Sequence, residues 1–232
     1  ILAAGRGSRM KSVTNNIPKC LLKVRGKTLL DHQLEALRSA GIDDIAVVTG
    51  YKRETLSGFR LHQFHNTRWA ETNMLYSLSC AKKWLADSPC IVSYSDIFYD
   101  TEAITSLINC QENLSITFDP QWLNIWSKRF LDPLSDAETF KFDIEGYLTE
   151  IGNRPRSIDD ISGQYMGLLR TTPRSWLEIE QVKQSMDKSI FDTMHITAML
   201  QRIIDIGNLK IKAIPYNGVW GEIDSEEDLY CY

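Results

Sequence analysis

The sequence predicts an α/β fold with a mostly parallel central sheet and helices on both faces. Three observations carry that expectation. Continuous apolar runs recur at Ile45-Ala46-Val47-Val48, Cys90-Ile91-Val92 and Ser115-Ile116-Thr117-Phe118, and strands buried on both faces read this way rather than as clean alternation. Segments with helical spacing separate the runs, as parallel crossovers require. The chemically distinctive residues stand at the carboxyl ends of the runs: Gly5 to Arg9, Gly50-Tyr51 and Asp96. Parallel sheets bind their ligands there.

Each element follows in order. Ile1 to Ala4 read as the end of a short buried strand running into a Gly-rich loop. Pro18 to Val24 closes that loop and leads into a short extended segment. Leu30, Leu34 and Leu37 recur at helical spacing, with Gly41 placed to cap. Ile45 to Gly50 is a strand. Leu75 to Ala86 reads as one helix, ended by Pro89. Cys90 to Asp96 is a buried strand ending in an acid, and Ser115 to Phe118 is a fourth strand. Phe140 to Ile151 alternates across a turn, as a hairpin does. Gln164 to Leu169 is a strand. Ile190 to Ile206 reads as one helix with His195 in its middle, in a structural role, and Gly207 closes it. Leu209 to Ile214 and Gly218 to Asp224 are late strands. Ser225 is the expected N-cap of a last helix, with Asp228 at the reaching-back position. The expectation is a single domain over 1–232, with residues 119–170 as an acceptor-binding or lid insertion within it.

Composition sets limits. Hydrophobic residues make up 43% of the 232 and charged residues 24%, which is ordinary for a globular chain. The formal net charge of −4 argues against a nucleic-acid partner, which calls for a basic field. The five cysteines are scattered without a CxxC, so neither a zinc site nor a disulfide framework is expected. No apolar run approaches the ~18–20 residues of a membrane span. With no secretory signal visible, a cytoplasmic protein that does not contact membrane is the expectation. The sequence opens at Ile1, already inside a strand, so a few native residues are expected to be missing.

The loop Gly5-Arg6-Gly7-Ser8-Arg9 follows a strand. Its glycines let backbone N–H groups approach phosphates, and Arg9 can fork onto phosphate oxygens. Lys19 adds a second cation. The dinucleotide pattern GxGxxG and the P-loop GK[ST] are both absent. Asp96 and Asp224 end separate predicted strands, and two such acids suit Mg²⁺, which takes one or two carboxylates plus phosphate oxygens. Glu222 is a candidate third ligand or a partner of the ligands.

The string LAAGRGSRM followed by PKCLLKVRGKTLL resembles the signature of the sugar-phosphate and phosphocholine nucleotidyltransferase superfamily, with Thr28 where that family usually has Pro. Glu71-Thr72-Asn73-Met74-Leu75-Tyr76-Ser77-Leu78, Tyr94-Ser95-Asp96, Gln164 to Leu168 and Trp220 to Asp224 resemble further motifs of its phosphocholine and phosphonate cytidylyltransferase branch, in the same order. The resemblance implies a Rossmann-like nucleotidyltransferase fold and a nucleotide site at Leu2, Ala3, Ala4, Gly5, Gly7, Ser8, Arg9, Tyr51, Asn73 and Ser77. It implies Mg²⁺ on Asp96 and Asp224. Catalysis would fall to Arg9, holding the β- and γ-phosphates, and to Lys19, between the α-phosphate and the attacking oxygen, together with the two aspartates.

The likeness of the Asn73 to Leu78 segment to the cytidylyltransferase branch implies CTP. The acceptor would be small and phosphorylated: phosphocholine, an aminoethyl- or hydroxyalkylphosphonate, or an amino-acid amide phosphate of the kind used in making capsule or cell-surface polysaccharide. Lys19, Trp122, Glu138, Tyr165, Asp192 and Trp220 are the acceptor candidates. Trp122, Trp126, Tyr165 and Trp220 could form an aromatic wall, of which one or two are expected to touch a cationic head by cation–π contact. Lys128-Arg129 with Asp132-Pro133-Leu134 reads as a polar lid. A homodimer stays open. Three rivals remain: a sugar-1-phosphate uridylyl- or thymidylyltransferase, a molybdopterin guanylyltransferase, whose branch prefers LAGGxSxRMG over the LAAGRGSRM found here, and a non-catalytic nucleotide-sensing domain, which the second acid disfavours.

Overall fold

A computed structural model describes residues 1–232. The chain enters through β1 (Leu2–Ala3), crosses the Gly-rich loop and makes the small ribbon β2 (Lys23–Val24) and β3 (Lys27–Thr28). Helix α1 (Leu29–Ser39) leads to β4 (Ala46–Thr49) and β5 (His62–His65). Helices α2 (Met74–Ser79) and α3 (Lys82–Asp87) precede β6 (Cys90–Ser93) and β7 (Ile97–Tyr99). Then come α4 (Thr101–Asn109), β8 (Leu114–Asp119), α5 (Leu123–Arg129), the hairpin β9 (Phe140–Phe142) and β10 (Leu148–Ile151), and β11 (Gln164–Thr171). The chain closes with α6 (Pro173–Gln184), α7 (Lys188–Thr193), α8 (Ile196–Ile206), β12 (Lys212–Pro215) and β13 (Trp220–Glu222). No helix is long and apolar enough to cross a membrane.

The central layer has the predicted character. β1, β4 and β5 run parallel, and a parallel bridge between Leu2 and Tyr94 joins β1 to the end of β6. The other half is ordered β12-β8-β11-β6. β12 is parallel to β8, whereas β11 lies antiparallel to both β8 and β6. One strand is therefore reversed, and its apolar run reads the same in either direction. Gly167 breaks its ladder with φ +79°, and a Cβ there would lie 2.7 Å from the Tyr94 ring. That close approach lets the Gly167 carbonyl accept from the Tyr94 N–H at 2.9 Å, fixing the turn that carries Asp96.

Helix α1 shows how the sequence fits its place. Thr28 caps it, accepting from the Asp31 N–H, and the Asp31 carboxylate accepts from the Thr28 N–H in return. Thr28 thus does by side chain what a proline would do by restricting φ. Leu30, Leu34 and Leu37 are buried as their spacing predicts, and Gly41 follows with φ +84°. Gln33 on the same face is fully buried. Its amide nitrogen donates to the carbonyls of Tyr94 (2.8 Å) and Ile97 (2.6 Å), and its oxygen accepts from Ser93 Oγ (3.2 Å).

Three expected elements differ. The helix expected over Leu75 to Ala86 is two, split at Cys80 and Ala81. The helix expected over Ile190 to Ile206 is also two, and His195 is the extended N-cap of α8, not a mid-helix residue. Thr193 Oγ1 donates to the carbonyls of Ser189 and Ile190, a side-chain bond that competes with continuation of the helix. After β13 a 3₁₀ turn, Glu227–Tyr230, replaces the expected helix, and Glu226 rather than Ser225 is its cap. The reach-back survives, because Asp228 accepts from the Ser225 N–H at 2.8 Å.

The aromatic wall is corrected as well. Trp122, Trp126 and Trp220 are core residues between 2% and 6% exposed, with ring centroids 6.2 and 6.3 Å apart along the series. Trp220 Nε1 donates to the buried Asp119 carboxylate at 2.9 Å. Large apolar side chains from α5 and β13 bury one another where the segment between β8 and β11 packs down.

Gln33→Leu should orphan the Ile97 carbonyl and leave the Tyr94 carbonyl to Ser93 Oγ, at 3.1 Å. The expected loss is about 1–3 kcal/mol for a buried carbonyl left without a donor, read as a lowered urea midpoint with unchanged m-value. A variant within experimental error of wild type would show that water replaces the amide.

Candidate active site

The site is assembled by one short ladder. β7 and β13 pair antiparallel, with Glu222 opposite Ile97. The Ile223 N–H donates to the Asp96 carbonyl at 2.9 Å, which continues the register past the strand ends. Asp96 therefore faces the residue between Glu222 and Asp224. One carboxylate oxygen from each of the three lies within 4.8 Å of the others.

Carboxylates this close repel each other, and cations hold them. Lys19 is 8% exposed, and its Nζ donates to Asp96 Oδ2 at 2.8 Å and to Asp224 Oδ1 at 2.5 Å. Burial works against the ammonium, but Asp96 and Asp224 outweigh it and hold the Lys19 pKa above its usual value. The same pairing depresses Asp224: burial pushes its carboxyl up, while Lys19, then Arg9, pull it below the usual range. Glu222 goes the other way, raised by burial and by the adjacent Asp224 charge, with Arg129 opposing. Arg9 reaches Asp224 Oδ1 at 3.1 Å and Asp136 at 3.8 Å while its side chain stays 64% exposed. It is the cation free to meet an incoming anion.

The Gly-rich loop meets this cluster through Lys19. Gly7 has φ +68°, a conformation that favours glycine, and a Cβ on it would press on the lysine stem at 3.1 Å from Lys19 Cδ. Thr14 Oγ1 donates to the Gly7 carbonyl at 3.2 Å, and Arg6 donates to the Asn15 side chain at 3.0 Å. Leu2, Ala3 and Ala4 are buried under the loop, whereas Gly5 and Ser8 are exposed along it. Tyr51 closes the far side: its hydroxyl donates to the Asn15 carbonyl at 2.6 Å and its ring meets Trp69 edge-on at 5.3 Å.

Three hard oxygen donors at this spacing suit a divalent cation. The donor set fits one on a further observation: Asp96 Oδ1 is buried with no hydrogen-bond partner. Buried oxygens are normally satisfied, and a cation would satisfy this one.

The remaining expected residues are placed as follows. Asn73 caps α2, its Oδ1 accepting from the Met74 N–H at 2.7 Å and its Nδ2 donating to the Thr193 carbonyl at 3.2 Å. Ser77 is buried, accepts from Asn66 Nδ2 at 3.0 Å and donates to the Asn73 carbonyl. The structure thus engages both in protein contacts. Asp192, a candidate partner for an acceptor ammonium, lies within α7 and its Oδ2 is already held by Arg68 (2.8 Å) and Lys188 (2.6 Å). The Tyr165 ring meets Tyr94 edge-on at 5.7 Å, and burial, with the Glu138 charge adding to it, holds the Tyr165 hydroxyl pKa above its usual value. Glu138 has only Thr197 as a partner, at 3.5 Å, and burial raises its carboxyl pKa.

Arg129 was not legible. Lys128-Arg129 reads as a lid, yet the Arg129 side chain is 0% exposed and binds Glu222 and Asp228. The alternating signal of Asp228 with Arg129 carries no spacing in sequence that could have exposed the pairing.

A Gly-rich loop thus lies at the carboxyl edge of a parallel sheet and meets an acidic cluster bridged by a lysine. The family model described as a MobA-like NTP transferase domain matches residues 1–140. A CTP:phosphoglutamine cytidylyltransferase from Campylobacter jejuni is 38% identical over 245 aligned residues, covering 99% of this chain and 96% of that protein. A choline-phosphate cytidylyltransferase from Streptococcus pneumoniae is 40% identical over 94 residues, 38% of this chain and 40% of that one. Among solved structures, the CTP:phosphocholine cytidylyltransferase of Streptococcus pneumoniae superimposes with TM-score 0.74 at 20% identity, over 99% of this chain and 94% of that one. The inositol-1-phosphate CTP transferase from T. maritima gives 0.76 at 20%, over 98% and 89%. The chain belongs to the MobA-like NTP transferase family. It is an enzyme, and the sensing-domain reading is set aside.

Lys19→Met leaves Asp96 and Asp224 facing each other. Breaking a buried pair this way costs about 3–5 kcal/mol, and losing one transition-state charge contact costs ~10²–10³-fold in turnover. The stability difference has a pH signature in metal-free protein. A depressed Asp224 carboxyl stabilises the fold above its unfolded pKa near 3.8, and that contribution is lost as pH falls further. The wild-type advantage over Lys19→Met should therefore be large at pH 7 and shrink below pH 4 in denaturation curves. A pH-independent difference would contradict the pairing.

Proposed function

We propose that this enzyme transfers CMP from CTP to the phosphate oxygen of a small amino-acid-derived phospho-acceptor of the phosphoglutamine class, releasing pyrophosphate. The observation that carries the chemistry is the Lys19 bridge between Asp96 and Asp224 beneath the Gly-rich loop. The choice of nucleotide and acceptor rests on the full-length similarity to the Campylobacter enzyme.

The acceptor oxygen forms a bond to the α-phosphorus of CTP as the bond to the β-phosphate oxygen breaks, and the electron pair leaves with pyrophosphate. The attacking oxygen is already anionic, so no side chain has to take a proton. Catalysis is positioning and charge neutralisation. The exposed Arg9 guanidinium binds the β- and γ-phosphates. Lys19, on its flexible stem, turns from the carboxylates toward the α-phosphate and the incoming oxygen. Backbone N–H groups of Gly5 to Ser8 cradle the phosphates, and Leu2, Ala3 and Tyr51 border the base. Asp96 and Asp224, with Glu222 beside them, would hold Mg²⁺, which when bound would supply positive charge against the phosphate oxygens.

The segment 119–170 forms the acceptor side. Glu138, with its raised carboxyl and weak Thr197 contact, pairs with an ammonium on the acceptor, and Tyr165 lines the same cluster. Phosphocholine and 2-aminoethylphosphonate share a cationic head and are the second reading, supported by the partial similarity to choline-phosphate cytidylyltransferases.

A screen of pyrophosphate release over four nucleoside triphosphates and a panel of acceptors with Mg²⁺ tests this. CTP with phosphoglutamine is expected to exceed CTP with phosphocholine or 2-aminoethylphosphonate by at least about tenfold in kcat/KM, the scale of a few polar contacts. Glu138→Gln should raise the acceptor KM and leave that of CTP nearly unchanged. Faster release with UTP and glucose 1-phosphate would defeat the proposal.

A further inference from the structure

Behind the acidic cluster lies a cation that no solvent reaches. Arg129 ends α5, and its side chain is 0% exposed. Its guanidinium carbon lies 4.9 Å from the Trp126 ring and 5.0 Å from that of Phe130. Nη1 donates to Glu222 Oε2 at 2.8 Å. Nε and Nη2 donate to the two oxygens of Asp228 at 2.8 and 3.3 Å, and Nη2 stands 3.6 Å from Asp224 Oδ2. Asp228 Oδ2 accepts in turn from the N–H groups of Asp224 (2.7 Å) and Ser225 (2.8 Å). One planar fork therefore fixes the Glu222 side chain and, through Asp228, the backbone that carries Asp224. The opposite oxygen, Asp224 Oδ1, is left to Lys19 and Arg9.

We propose that Arg129 is a positioning residue for the divalent-cation site: it sets the spacing of Glu222 and Asp224, and with it the affinity of the site, without touching metal or nucleotide. The inference rests on the reading that Asp96, Glu222 and Asp224 hold the cation. Two effects of Arg129 oppose each other. Its charge repels a cation, so if charge dominated, losing it would tighten binding. Its geometry holds two ligands in place, and groups that orient metal ligands are typically worth 10–100-fold in affinity or activity. Lysine separates the two, because it keeps the charge and lacks the fork.

Mn²⁺ binding to the nucleotide-free full chain, followed by electron paramagnetic resonance, provides a readout independent of turnover. Wild type is expected to bind Mn²⁺ and Asp96→Asn to lose it. Arg129→Lys should weaken binding by ~10-fold or more. The Mg²⁺ concentration for half-maximal pyrophosphate release should rise in step, with kcat returning toward wild type at saturating Mg²⁺. A merely structural role would lower the melting temperature without this Mg²⁺ rescue. If Arg129→Lys does not fold, Asp228→Asn serves instead, since it keeps an acceptor for the two N–H groups and weakens only the fork; a smaller loss of Mn²⁺ affinity is expected. Wild-type Mn²⁺ affinity in whichever variant folds overturns the role of Arg129. A wild-type protein that binds no Mn²⁺, or an Asp96→Asn variant that binds it normally, overturns the metal reading itself, and the role of Arg129 with it.

Discussion

Lys19 sits where two parts of the chain far apart in sequence must meet. Its ammonium holds Asp96 and Asp224, residues 77 and 205 positions away, in one buried contact. Uncompensated carboxylates inside a protein are costly, and a buried pair whose partner is removed is costlier than one never made. The arrangement therefore constrains everything around it. β7 and β13 must keep their register, the turn before β7 must present Asp96, and the loop after β1 must pass close enough for Lys19 to reach inward. The glycine at position 7 meets the last demand, because a Cβ there would press on the lysine stem.

The supports for this contact come from outside the site. Gln33 on α1 ties the carbonyls that flank Asp96, and Gly167 on the reversed strand lets Tyr94 close over the same turn. Arg129 and Asp228 hold the other side. An acidic cluster clamped from three directions is preorganised, and preorganised charge is what phosphoryl and nucleotidyl transfer need, since the enzyme makes few covalent demands. Arg9 is the exception: its side chain reaches Asp224 yet stays 64% exposed, as its proposed contact with a triphosphate requires.

Much of this was legible in the sequence. Apolar runs ending in Gly5, Gly50 and Asp96 marked the carboxyl edge of the sheet, where a parallel sheet can present chemistry. Asp224 was legible for the same reason. Other parts were not. The direction of β11 leaves no trace in an apolar run, and the break where Met194 and His195 turn extended leaves none in an apolar helical pattern. Trp122, Trp126 and Trp220 looked like a binding wall because aromatic residues suit both cores and cationic ligands; only packing decides. Arg129 looked solvated because a neighbouring lysine and acidic residues usually are, and its partners lie about a hundred residues away.

The most direct test is a crystal structure with a non-hydrolysable CTP analogue and Mn²⁺, in which anomalous scattering locates the ion. A peak coordinated by Asp96 and Asp224, with the triphosphate along Gly5 to Arg9 and the Lys19 ammonium swung toward the α-phosphate, is the predicted result. A nucleotide bound away from that loop, or an ion that Asp96 and Asp224 do not ligate while Lys19 still bridges them, would contradict the account.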